Sequence, residues 1–145
     1  MISEKKIDNY IISTDRGKLD VNYIHYFLSE ESYWAKNIPI ELVNTSIEGS
    51  FCFGVYHQGK QIGFARVITD YATFGYLADV FIDKNYRGKG LSKELMKFIM
   101  EQEVIKKLRR FMLATLDAHS LYAQFGFESQ VGNKRLMSIK FFEEY

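Results

Sequence analysis

The sequence has 145 residues, 47% of them apolar and 16% aromatic, and its 19 basic and 18 acidic side chains leave a formal charge of +1. That length and apolar content suit one domain over 1–145 with a real core and exclude a disordered chain, while the balanced charge argues against nucleic acid or an anionic membrane as main partner. The opening MISEKKIDNY lacks a signal-peptide core and no apolar run nears the roughly 20 residues that span a bilayer, so the expectation is a soluble cytoplasmic protein.

In chain order, residues 8–14 (DNYIIST) read as a first strand, rich in β-branched and aromatic types. Val21, Ile24 and Leu28 share a face, which predicts a helix over 20–29. A second helix is predicted over 39–48, with Pro39 in its first turn and Gly49 ending it. Two strands follow, 50–56 and 61–69, and Gln58-Gly59 between them reads as a hairpin turn. Residues 75–83 (GYLADVFID) form a strand that is apolar apart from Asp79, which places it inside a sheet. A helix from 90 to 107 buries Leu91, Leu95, Phe98 and Ile99. The strand 110–115 comes next. A short helix over 118–125 is capped by Asp117 at its start and Gly126 at its end, and 130–142 reads as one or two strands. The β-α-β unit from 75 to 115 requires a parallel pair, and the hairpin requires antiparallel neighbours. The expected class is α/β: a mixed, mostly antiparallel sheet with helices on both faces.

The loop between strand 75–83 and its helix carries Arg87-Gly88-Lys89-Gly90-Leu91-Ser92. Backbone amides at a helix start, with the helix dipole, attract an anion. The two glycines let a ligand approach the backbone, and Arg87, Lys89 and Lys93 add positive charge. The spacing is neither that of a Walker loop nor the G-x-G-x-x-G of dinucleotide folds.

This run resembles the acetyl-CoA motif Q/R-x-x-G-x-G/A of the GNAT superfamily, with Ser92 standing where Gly or Ala is usual. Leu121-Tyr122-Ala123-Gln124-Phe125-Gly126-Phe127 resembles that family's L-Y-x-x-x-G-F, and SYWA (32–35) with DYATFGYLADVF (70–81) is similar to a set of small bacterial members without an assigned acceptor. The resemblance implies the acyl-CoA N-acyltransferase fold, in which strands 75–83 and 110–115 part like a V. It implies acetyl-CoA as cosubstrate and an amine of a small molecule or peptide as acceptor, with direct transfer in a ternary complex. A non-catalytic acyl-CoA-binding or sensing module on the same fold is the alternative. It further implies that backbone groups of Phe81 and Ile82 meet the pantetheine amides and that Arg87, Gly88, Lys89, Gly90, Leu91 and Ser92 surround the pyrophosphate. Asp117 stands near the place of a cofactor-touching asparagine. Tyr122 matches the tyrosine that protonates the departing thiolate, a role open to a phenol at neutral pH. Some relatives carry a basic glutamate where this chain has Met112.

Asp79 is the carboxylate best placed to accept the amine's proton, with pairing to Arg66 as its structural alternative; His25 and His119 are weaker candidates. Tyr33, Trp34, Tyr71 and Tyr76, with Asp70, Glu30 and Glu31, are the expected lining of the acceptor end, since rings and carboxylates suit a cationic amine. Cys52 lies in an apolar strand, where a thiol is ordinarily inert. The histidines at 25, 57 and 119 lack ligand spacing, so no metal is expected. A C-terminal edge strand offers one route to a homodimer.

Overall fold

The structure, a computed structural model, describes residues 1–145. Its frame is one six-stranded sheet: β1 (Glu4–Ile7), β2 (Tyr10–Ser13), β3 (Ser50–His57), β4 (Lys60–Thr69), β5 (Phe74–Ile82) and β6 (Arg110–Leu113) lie side by side in chain order. Every neighbouring pair is antiparallel except β5 and β6, which run parallel. The helices are α1 (Val21–Tyr26), continued by a wider π turn over Phe27–Glu31, then α2 (Ile40–Glu48), α3 (Leu91–Glu101), α4 (Glu103–Lys106) and α5 (His119–Ala123). The mixed sheet and the hairpin, with Gln58 and Gly59 both at positive φ, follow the sequence pattern. No helix is long and apolar enough to cross a membrane.

The two faces of the sheet bury separate cores. Leu91, Leu95, Phe98 and Ile99 of α3 pack on Phe53, Val55 and Val67. Ile24, Phe27, Val43 and Ile47 pack on Cys52, Phe64 and Phe81. Alternation along a strand explains the division: Phe53 and Val55 point one way and Cys52 the other.

In β5 that alternation breaks. Leu77 lies in the α3 core and Phe81, four residues later, in the opposite one. Pairing with β4 moves from Ala78↔Arg66 to Phe81↔Phe64, so β5 advances three residues while β4 advances two. The extra residue is a bulge, and Asp79 holds it with φ of 53°. A non-glycine residue rarely adopts this conformation, which costs about 1–3 kcal/mol. Beyond the bulge β5 has no strand beside it on the β6 side: pairing with β6 ends at Leu77↔Leu113. These two strands therefore form the paired stem of a V that opens toward the loop after β5.

Four expectations need correction. The first strand is a hairpin of two, because Asp8 at φ 52° turns the chain and the charged Glu4–Ile7 supplies an edge strand. The long helix breaks at Gln102, whose backbone is extended and whose side-chain amide donates to the Phe98 carbonyl. Asp117 does not cap α5. Ala118 takes that position without a side-chain cap of its own, and its N–H donates to Thr115 Oγ1. Residues 130–142 contain no strand. Their apolar pattern has no partner ladder, and a strand exists only through its pairing.

Candidate active site

The loop at the mouth of the V is built by short-range hydrogen bonds. Asp83 accepts from the Asn85 N–H and starts a tight turn over Lys84–Tyr86. Gly88 and Gly90 both have φ of 77°, and the space where a Cβ would stand is open at each. Gly90 is the residue before α3, and no side chain caps that helix. The first amides of α3 are thus left for another acceptor. A cleft of about 230 Å³ lies here, lined by Arg87, Gly88, Gly90, Leu91 and Ser92 among others, with Leu121 opposite. Arg87 folds back so that its Nε donates to the Ile82 carbonyl at 3.2 Å. The side chain of Ile82 is buried against α3, while that of Phe81 stacks on Phe27 with ring centroids 3.8 Å apart. Both side chains are therefore turned into the two cores of the sheet.

Tyr122 lies on the β6 side, packed edge-on to Phe127 and 9% exposed. Burial holds its phenol above the ordinary tyrosine range, with smaller contributions from Tyr33 and Asp117. Near the crotch of the V sits a polar cluster the sequence did not disclose as a unit. Asp79 accepts from Arg66 Nε at 2.6 Å and from Trp34 Nε1 at 2.9 Å. Arg66 also donates to Ser50 Oγ at 3.0 Å, and Ser50 Oγ donates to the Ser46 carbonyl in α2. The ion pair is nearly dry, its side chains 15% and 10% exposed. Trp34 in turn meets Tyr33 edge-on at 5.0 Å, and Tyr33 Oη accepts from the Leu116 N–H at 3.4 Å, reaching from the loop before α2 to the chain just after β6. Tyr76 pairs with Ile68 and Met112, on the same face as Arg66.

The structure separates other residues from this group. Tyr71, at φ 62°, packs on Phe51 on the α3 face of the sheet. Asp70 accepts from the amides of Ala72, Thr73 and Phe74 and from the Thr73 hydroxyl, which fixes the loop before β5 at the closed end of the V. Glu31 faces Lys84 at 3.7 Å. His25 bonds the Ile38 carbonyl at 2.9 Å and so ties α1 to the segment before α2. His119 lines a larger cavity beside β6. Burial pushes the Cys52 thiol up to about 11, which suits an inert core residue. No group of three or more His, Cys, Asp or Glu side chains is gathered as metal ligands would be. Sequence reading gave Arg66 only as a possible partner for Asp79; two rows of β4 and β5 had to be set in register before its link to Trp34 was visible.

Comparison with known proteins agrees with this architecture. The GNAT acetyltransferase domain family matches residues 48–129. A protein of Gibberella zeae, provisionally named an acetyltransferase, is 31% identical over 136 residues, which is 80% of this chain and 77% of that protein. The crystal structure of a provisionally named GNAT-family acetyltransferase from Xanthomonas campestris is 47% identical, covers 93% of this chain and 95% of its own, and superposes with a TM-score of 0.89. A GNAT-family acetyltransferase from Elizabethkingia anophelis, solved with acetyl-CoA bound, shares the fold at 15% identity and a TM-score of 0.63, over 84% of this chain and 78% of its own. Loop, splayed strands and family match converge, and the chain belongs to the GNAT family of acetyltransferases.

Proposed function

We propose that this protein transfers the acetyl group of acetyl-CoA directly to a primary amine of a small molecule or peptide, with both substrates bound at the V between β5 and β6. The observation that carries the reading is the opening of these parallel strands beyond Leu77 and Leu113, between an uncapped α3 start and a buried Tyr122. The Arg87–Ser92 loop fits a diphosphate: it offers amide donors, two glycines without obstructing side chains, and the charges of Arg87, Lys89 and Lys93. The same fold is known with acetyl-CoA bound in the Elizabethkingia protein.

In the reaction the amine nitrogen forms a bond to the thioester carbonyl carbon and the carbon–sulfur bond breaks. The leaving thiolate takes the proton of Tyr122, the nitrogen gives up its second proton to solvent as the amide forms, and solvent returns a proton to the phenolate. The incoming ammonium must first lose a proton. Asp79 is poorly suited to accept it, because both carboxylate oxygens already hold Arg66 and Trp34. We assign that proton to water in the open V, and give Asp79 and Arg66 the work of fixing Trp34. The exposed ring faces of Trp34 and Tyr33 then offer the acceptor a cation–π surface, with Tyr76 on the same side of the sheet. Asp117, beside α5, remains the assigned side-chain contact for the cofactor on that flank.

A panel of small amines and peptide N-termini, incubated with protein and acetyl-CoA, tests this by thiol release and by mass spectrometry of the products. Acetyl-CoA-dependent acetylation of at least one amine is expected. Tight acetyl-CoA binding with no turnover on any amine assigns the chain to binding or sensing instead.

A further inference from the structure

The loop after β5 is fixed at its ends and not by its own backbone. From Arg87 to Gly90 no main-chain amide donates a hydrogen bond within the chain. Apart from the contact of Arg87 Nε with the Ile82 carbonyl, this stretch is held by α3 behind it and by the tight turn over Lys84–Tyr86 in front. That turn is clasped from both faces of the sheet. On the α1 side Tyr23 Oη donates to Asp83 Oδ2 at 3.2 Å, and Glu31 stands 3.7 Å from Lys84. On the α3 side the clasp is His57, whose Nδ1 lies 3.2 Å from Tyr86 Oη and shares one hydrogen bond with it. His57 is the last residue of β3, and β4 separates β3 from β5, so the bond reaches across a strand. The imidazole is itself held in place. Tyr10, its cross-strand partner on β2, stacks on it with ring centroids 4.9 Å apart and planes at 28°. Tyr86 meets His57 and Tyr10 edge-on, at 5.3 and 6.3 Å. Ring contacts of this geometry fix orientation as well as proximity. Tyr86 in turn lines the cleft of about 230 Å³ beside Arg87, Gly88 and Gly90.

We propose that His57 is a positioning residue for acetyl-CoA: by holding Tyr86 it sets the start of the Arg87–Ser92 loop, so that the loop amides and the first amides of α3 converge on one diphosphate. The proposal rests on the reading of that loop as the diphosphate site. His57 does not line the cleft and acts through Tyr86. A loop that spends only part of its time in the binding conformation binds its ligand more weakly by that fraction. One hydrogen bond of ordinary net strength corresponds to a factor of about three to ten. The role needs a bonding atom at the δ position of side chain 57 and not a charge, because a phenol donates to a neutral Nδ1 and accepts from a protonated one. A side-chain amide at 57 can supply such an atom, and an aliphatic side chain of similar size cannot.

Calorimetry with acetyl-CoA on the intact protein tests this. His57→Leu and Tyr86→Phe should each weaken binding about three- to tenfold, and the double variant should bind no more weakly than the weaker single one. His57→Asn, which restores a hydrogen-bonding atom near the place of Nδ1, should recover most of the affinity. A side chain that merely supported the fold would not give this pattern, and melting temperatures without ligand show that each variant is folded. If His57→Leu does not fold, Tyr86→Phe and His57→Asn carry the same test. Unchanged acetyl-CoA affinity in His57→Leu or in Tyr86→Phe, losses that multiply in the double variant, or an Asn variant as weak as either would overturn the role of His57. A wild-type protein that gives no heat with acetyl-CoA would instead overturn the diphosphate reading of the loop, and the role of His57 with it.

Discussion

In the proposed reaction two side chains divide the work at the residue scale. Tyr122 is held above the ordinary phenol range chiefly by burial, so its proton stays available well past neutral pH. If it protonates the thiolate, Tyr122→Phe lowers kcat by about 10²-fold, the lower end of general acid contributions, and leaves acetyl-CoA affinity within about twofold. With water taking the ammonium proton, the wild-type rate should climb with pH as the neutral amine forms and turn down above about pH 10, the ordinary phenol value, and the variant should lack that falling limb. Asp79 answers a different question. Replacing it by Asn leaves Arg66 nearly dry without its counter-charge, which should cost about 2–4 kcal/mol of stability, readable by urea titration. With Trp34 held at most by a neutral amide oxygen beside an unpaired Arg66, the amine KM should rise more than kcat falls, and the pH profile should keep its shape. A hydroxide dependence that the Asn variant shows and the wild type lacks would make Asp79 the base.

At the element scale the proposed reading gives cofactor affinity to the Arg87–Ser92 loop rather than to any one side chain. Gly90 sits at φ 77° with open space around it, so the penalty of Gly90→Ala is backbone strain and not a clash. We expect a loss of about 1–2 kcal/mol in stability. Acetyl-CoA binding, measured by calorimetry, should weaken about tenfold as the first amides of α3 turn from their aim. This loop was legible in the sequence because glycine marks left-handed backbone and a 3.6-residue apolar stripe marks the helix behind it. The placement of Tyr122 on a short helix was legible because a short motif carries it. The bulge was not: Asp79 takes its left-handed turn without a glycine, inside an unbroken apolar run, and only the crossing of Leu77 and Phe81 to opposite cores exposes it. Residues 130–142 failed for the opposite reason. Their alternation is genuine, but a strand pattern does not say which edge, or whose, will pair with it.

For the whole molecule, the buried tyrosines and the cofactor act on the same global equilibrium. Burial holds the phenols of Tyr23, Tyr56 and Tyr122 above their ordinary value, and Tyr56 Oη has no hydrogen-bond partner. A raised folded-state value means that the contribution is whole below about pH 10 and is lost as pH climbs through the folded-state values. Alkaline unfolding should therefore begin above about pH 10 and steepen. Acetyl-CoA works in the other direction. A ligand that binds only the folded chain stabilises it by about 2.7 kcal/mol at a hundred times its Kd, and for a chain of 145 residues that is roughly a 10 °C rise in Tm. Since Arg87, Lys89 and Lys93 surround the loop, part of that rise is electrostatic and should shrink between 50 and 500 mM salt. Desulfo-CoA, which keeps the diphosphate, should give most of the shift, and pantetheine, which lacks it, should give little. An equal shift from pantetheine would move the main grip from the start of α3 to the strands of the V.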